Sequence, residues 1–231
     1  MKHLFLIVFI FFMGITYCFA QEHMKIEVDS LYKEDQFYAG ITYNLLGKRE
    51  NDIKQSGFSL GFHLGFIKDM PLNQKRNVAI GIGLGYSANS FNQNLLVNKD
   101  NTDNFIYSIL EDTNTYTKNK FSTHLIELPI EFRWRTSTAT DYNFWRIYTG
   151  FKFGYILTHT TKYKGDLGNI KYSNNNDFNK LQYGLTLSAG YNTWNLHLYY
   201  GLNPIFSKDA QINGNAIDIN TIKIGLMFYI L

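Results

Sequence analysis

His124 and His159 are the residues of this chain whose type best suits proton transfer, because an imidazole titrates near neutrality. As a general base, either could activate a hydroxyl or a water against an ester or amide. Spacing ties no serine or carboxylate to them, so no catalytic set is expected and the chain reads as non-enzymatic. His63 and His197 lie on well-separated segments and are expected to pack rather than to bind metal. Gly81, Gly83 and Gly85 look superficially like a nucleotide loop, yet no helix follows to receive a phosphate. Asp100, Thr102, Asn104 and Glu111 share offsets with a calcium loop, but Phe105 stands where the sharp turn needs glycine. No cofactor and no metal is expected.

A second kind of chemistry resides in charge. Glu127, Glu131, Arg133, Arg146, Lys152 and Lys223 alternate with large apolar residues in their segments. Charges so placed share one face of a strand, where they either neutralise one another or line an ion path.

The elements that must position them are strands. From Gly57 to Lys68, Phe58, Leu60, Phe62, Leu64 and Phe66 alternate with Ser59, Gly61, His63 and Gly65. From Val78 to Ala88, Ile80, Ile82, Leu84 and Tyr86 oppose Gly81, Gly83, Gly85 and Ser87. Ile126 to Trp134 and Trp145 to Leu157 repeat the pattern, with the charged residues on the smaller face. Phe37 to Leu45, Leu181 to Tyr191, Trp194 to Leu202 and Ile222 to Ile230 complete an even set of eight. Long connections of about 10, 30, 20 and 15 residues alternate with short ones of about 9, 8 and 2, as in barrels that cross a bacterial outer membrane. The expected fold is therefore all-β, an eight-stranded antiparallel transmembrane up-and-down β-barrel, with the N-terminus and short turns on the periplasmic side.

Composition and the N-terminus agree with export. Lys2, an apolar run from Leu4 to Ile15, and Cys18-Phe19-Ala20 before Gln21 have the layout of a signal peptide cleaved after Ala20. Tyr17 is too bulky for the alternative, a lipoprotein signal at Cys18. The expected organisation is a signal peptide over 1–20, a periplasmic arm over 21–36 and the barrel over 37–231. The net charge of only +3, without a basic run, gives no reason to expect nucleic acid. After the signal, no apolar run reaches the length of a membrane helix, so entry into lipid requires a closed barrel. Trp134, Trp145 and Trp194 are expected to face outward at the periplasmic ends as one interfacial aromatic girdle.

A barrel this narrow leaves room inside only for side chains. Inward glycines, among them Gly61, Gly65, Gly81, Gly85, Gly150, Gly184 and Gly225, are expected to make space for large partners such as Tyr148 and Tyr199. An outward Arg or Lys at the bilayer midplane would cost roughly 2–4 kcal/mol, which assigns the charges to the interior. If Trp134 pairs with Trp145, the register sets Glu127 opposite Lys152 and Glu131 diagonal to Arg146. A salt-bridged plug is then expected in place of an open ion path.

The segment Leu125-Ile126-Glu127-Leu128-Pro129-Ile130-Glu131-Phe132, with Tyr148-Thr149-Gly150-Phe151-Lys152-Phe153-Gly154 after it, resembles the PorT-like outer-membrane β-barrel proteins of Bacteroidota. Tyr183-Gly184-Leu185, Gly190-Tyr191 and Tyr199-Tyr200-Gly201-Leu202 extend the resemblance toward the C-terminus. It implies a Gram-negative outer-membrane location and no catalytic residues; the family's namesake serves a protein-secretion system. Lys223, Gly225, Phe228 and Ile230 further resemble the last-strand signal read by the barrel-assembly machinery, although Leu231 replaces the common terminal aromatic. The expected partners are outer-membrane lipid, the assembly machinery, and a surface or secretion-system partner. The expected function is a filled, porin-like but non-conducting scaffold that anchors external loops. An accessory of a type IX-like secretion machine, an outer-membrane enzyme and a small channel are its alternatives.

Overall fold

The computed structural model of the protein describes residues 33–48, 52–111, 113–138 and 144–230. The expected signal peptide, residues 21–32 of the arm, and Leu231 lie outside them. Eight strands form the barrel: β1 (Gln36–Gly47), β2 (Leu60–Pro71), β3 (Val78–Asn92), β4 (Tyr116–Arg135), β5 (Trp145–Gly165), β6 (Leu181–Tyr191), β7 (Trp194–Gly201) and β8 (Asn220–Ile230). Each pairs antiparallel with its chain neighbours. β1 closes on β8 from Phe37↔Ile230 to Gly47↔Asn220, so the barrel has no free edge.

All eight expected strands are present, but two are much longer than expected. β4 and β5 continue beyond the barrel to Tyr116 and Gly165, joined there by a further strand, Gly168–Ser173. A hairpin of Leu95–Lys99 with Phe105–Ile109 lies in the β3–β4 connection.

β4 shows why one strand needs two rules. From Trp134 to Ile126 its outward residues are apolar and exposed, while Arg135, Arg133, Glu131 and Glu127 point inward and are buried. Above Glu127 the inward residues become Leu125 and Phe121, and the outward ones His124, Ser122, Lys120 and Lys118. Lipid surrounds the lower part and water the upper, and hydrophobic side chains turn toward whichever side lacks water.

Two outward aromatic belts bracket the lipid-facing zone. Trp145 packs against Tyr191 at 5.3 Å and Trp194 against Phe228 at 4.8 Å, with Trp134 at the same short-turn end. Tyr43, Tyr86, Tyr155, Tyr183 and Tyr200 form the second belt toward the long loops, which the sequence reading did not pick out. Trp145 and Tyr155 are separated along β5 by a strand length whose height, at about 3.3 Å per residue and roughly 40° of tilt, is about 25 Å. That equals the apolar band of an outer-membrane barrel.

Inside, glycines receive aromatic rings. A side chain at Gly85 or Gly65 would collide with the Tyr38 ring or hydroxyl, and one at Gly184 with Tyr199. Gly57, by contrast, is not on the inner face but in the β1–β2 connection with φ +63. Pro129 sits in the middle of β4 with no N–H to donate, and the β3–β4 ladder omits Gly83 and Leu84 beside it. Gly85→Val should therefore destabilise the barrel by about 1–3 kcal/mol through overpacking against Tyr38. The urea midpoint of refolded protein measures this, and recovery with an added Tyr38→Ala would show that the collision is the cause.

Candidate functional site

The lumen holds two ionic clusters stacked along the barrel axis. At the short-turn end, Asp69 of β2 accepts hydrogen bonds from Arg133 Nη1 at 3.1 Å, Arg135 Nη1 at 2.8 Å and Arg135 Nη2 at 2.7 Å. Arg133 Nε also donates to Glu131 at 3.1 Å, and its guanidinium lies 4.6 Å from the Tyr148 ring centre. All of these side chains are buried. The paired, forked geometry is what allows two guanidinium groups inside a narrow protein.

Glu127 organises the second cluster near the middle. Its carboxylate lies 3.2 Å from Lys152 Nζ, 4.0 Å from Lys223 Nζ and 3.5 Å from His63 Nδ1, and it accepts from Ser87 Oγ at 2.7 Å. Thr42, Asn44 and Asn89 extend the network around the wall through His63 and Ser87, and Ser188 and His197 share a separate hydrogen bond in the lumen.

The expected charge set is thus in the lumen, but its pairing differs from the expectation. Trp134 pairs with Ile147, two residues away from the expected Trp145, so Glu127 faces Gly154 and reaches Lys152 diagonally. Glu131 bonds to Arg133 of its own strand instead of Arg146. Arg146 stacks over Phe144 at 4.5 Å, with Nε and Nη1 lacking hydrogen-bond partners among the described residues. Asp69 was missed because the expected strand stopped at Lys68, although one more step of the same alternation reaches it. The end of the arm is also not free: Glu34 is buried, its backbone N–H donating to Asp69 and its carbonyl accepting from Arg133.

Above Glu127 the lumen is closed by an apolar cap. Phe91, Phe121, Leu125 and Ile156 project inward from the strands, and each of the four long connections adds residues: Ile53, Leu95, Phe178, and Ile205 with Phe206. Phe178 and Phe206 pack at 4.6 Å and both meet Phe121 at 5.8 Å. Hydrogen bonds bind the loops to one another. Asn179 Nδ2 donates to the carbonyls of Pro204 and Phe206, Tyr107 to Asp177, and Asn94 Nδ2 to the carbonyl of Asp52. Burial pushes the Tyr107 phenol up from its ordinary range, so it remains a donor. Between cap and Glu127 remains a cavity of about 20 Å³, on the order of one water.

His159 corrects a sequence expectation. Unbroken alternation from Trp145 would point it outward, but the β4–β5 register shifts between His124↔Thr158 and Leu125↔Ile156, leaving Leu157 as a bulge. The extra residue turns His159 into the cap, where it is buried and stacks on Phe178 at 4.2 Å. His124 remains outward and shares a hydrogen bond with Tyr86. The two histidines therefore face opposite sides of the wall. In the β3–β4 connection, Asp100 caps a turn through Thr102 and Asn104, bonds that hold its carboxyl below the usual carboxylate range. No cluster of potential metal ligands occurs among the described residues.

Lys223, Gly225, Phe228 and Ile230 all lie on β8. Lys223 faces the lumen, Phe228 packs outward on Trp194, and Ile230 is exposed at the short-turn end.

The closed barrel, its belts and its filled lumen define a class of outer-membrane protein. Residues 19–207 match the family described as outer membrane protein beta-barrel domain, and the chain belongs to that family. It is an outer-membrane β-barrel protein. Comparison with curated proteins gives no match. Among solved structures, the chain is similar to Ail, the attachment invasion locus protein of Yersinia pestis, at 12% identity and a TM-score of 0.32, covering 87% of this chain and 100% of that one. It is also similar to a mutant porin of Rh. blastica, at 8% identity and a TM-score of 0.21, covering 86% of this chain and 100% of that one.

Asp69→Asn should destabilise the barrel by about 3–5 kcal/mol, because it leaves Arg133 and Arg135 buried without their shared carboxylate. Denaturant unfolding followed by tryptophan emission measures this; a change below 1 kcal/mol would mean that solvent or Glu131 takes its place.

Proposed function

We propose that this protein is a sealed, non-enzymatic scaffold that presents a rigid loop platform at the cell surface for a ligand or partner. The observation that carries this reading is the apolar cap. Residues from every long connection are joined over a lumen that holds buried salt bridges, an arrangement that supports a sealed barrel. A channel would need the opposite, a polar constriction connected to water at both ends. A rigid scaffold with function on its loops fits this construction. An open groove of about 520 Å³ on the platform, lined by Asp52, Lys54, Tyr107, Ser108, Glu111 and Asn213, has the mixed polarity of a recognition surface.

The arrangement of the barrel in the membrane follows from loop length and the belts: short turns and the N-terminus toward the periplasm, the Trp134, Trp145 and Trp194 girdle at that interface, and the cap outside. Lys223, Gly225, Phe228 and Ile230 would serve the assembly machinery before β8 closes on β1. The secretion-accessory reading depends on the arm, and Glu34 and Gln36 are already buried at the end of the lumen.

Two measurements test the reading. Protein inserted in planar bilayers should give no stable conductance steps; persistent single-channel steps would overturn the seal. Lys208→Cys, in the β7–β8 connection, should react with a membrane-impermeant maleimide on intact cells. The wild type is the control, since its one cysteine lies in the expected signal peptide. Reaction only after permeabilisation would reverse the orientation.

A further inference from the structure

Above the tyrosine belt, the outward face of the β4–β5 extension carries a ladder of lysines directly opposite one another. Lys118 pairs with Lys164, Lys120 with Lys162, and Lys162 in turn with Lys171. Like charges in direct cross-strand register repel, and a sheet selected for stability alone would alternate their sign. None of the five is in an ion pair among the described residues, and the one polar contact of Lys120 is a hydrogen bond of 3.2 Å to the Ser90 hydroxyl. Burial, together with Lys118 and Lys162, holds the Lys120 ammonium below its ordinary range.

Between this ladder and the belt the outward face is rich in hydroxyls beside Ala88 and His124. Ser122 pairs with Thr160, Thr160 with Ser173, and Ser90 with Ser122, all on outward positions. Lysines flanked by short hydroxyls suit a ligand with fixed negative charge and many hydroxyl groups of its own.

The height of the patch selects the ligand. Lys120 and Lys162 stand about 15 Å above the level of Ile126 and Tyr155, and Lys118 and Lys164 about 20 Å, at the same rise and tilt as below. That is beyond the phosphates at the lipid surface. The patch also faces sideways, on the outer face of the wall that faces lipid lower down, toward whatever surrounds the barrel in the outer leaflet and away from the platform above.

We propose that this lysine ladder binds the anionic core saccharide, with its phosphate and carboxylate groups, of glycolipids standing around the barrel. The idea rests on the outward orientation of the cap described above. It gives the protein a second recognition surface, one that holds it in a shell of its own membrane's glycolipid and leaves the loop platform free.

The test uses protein purified in zwitterionic micelles and titrated with lipopolysaccharide carrying a complete anionic core, or with the core-less lipid A. Wild type should bind the core-bearing form more tightly, and Lys120→Gln/Lys162→Gln/Lys171→Gln should lose about tenfold or more of that affinity. Loss in the separate pair Lys118→Gln/Lys164→Gln should be smaller but in the same direction. The triple variant should keep the wild-type thermal midpoint or exceed it, since neutral rungs no longer repel. Equal affinity of wild type for lipid A and the core-bearing form would assign binding to lipid phosphate and overturn the proposal, as would unchanged binding by both variants. A reversed Lys208→Cys labelling pattern would place the ladder on the periplasmic side and overturn this proposal together with the orientation, whereas failed titrations would overturn the proposal and leave the orientation standing.

Discussion

Everything in this molecule follows from the pairing of β1 with β8. In lipid each unpaired backbone group costs several kcal/mol, so a sheet can cross only when it has no edge. Eight strands close into a cylinder too narrow for water to fill, and whatever points inward must be packed or neutralised. The glycines at 65, 85 and 184 and the rings of Tyr38 and Tyr199 solve the volume problem. Asp69 with its two arginines and Glu127 with its two lysines solve the charge problem. The lumen network is then a consequence of closure before it is a sign of any activity.

The environment along the axis adds the second constraint. The strands do not end where the lipid does, and β4 and β5 rise into water with their polarity reversed. Below the tyrosine belt the inner face is polar and the outer face apolar; above it the inner face forms the cap and the outer face carries serine, threonine and lysine. One bulge at Leu157 re-aims β5 at this transition and delivers His159 into the cap.

These two regimes explain what the sequence made legible. The eight lipid-crossing segments stood out because every second residue is large and apolar against glycine or charge, a contrast that survives without any partner strand. The upper parts of β4 and β5 did not, since Lys118 to Thr123 and Thr158 to Lys164 mix polar residues on both parities, as strands in water can. Alternation and the cost of an outward charge in lipid both direct the charged residues inward, and Glu127, Glu131, Arg133, Arg146, Lys152 and Lys223 are buried. Their partners were not legible, because the β4–β5 turn leaves the register loose, and a shift of two residues preserves every inward and outward assignment while changing every pair. The bulge is the one place where parity itself failed. The cap was illegible for another reason: Phe178, Ile205 and Phe206 are scattered through connections without period, and only tertiary contact makes them a core.

The cap and the barrel wall are consequently held together by different thermodynamics. The wall is sustained by ladder hydrogen bonds and packing in a solvent as apolar as its own surface. The cap is a small water-facing core of aliphatic and aromatic side chains, whose association weakens as temperature falls and carries a large heat-capacity change. The hydrophobic part of the cap's cohesion therefore weakens on cooling, a temperature dependence that the ladder hydrogen bonds of the lipid-embedded wall do not share.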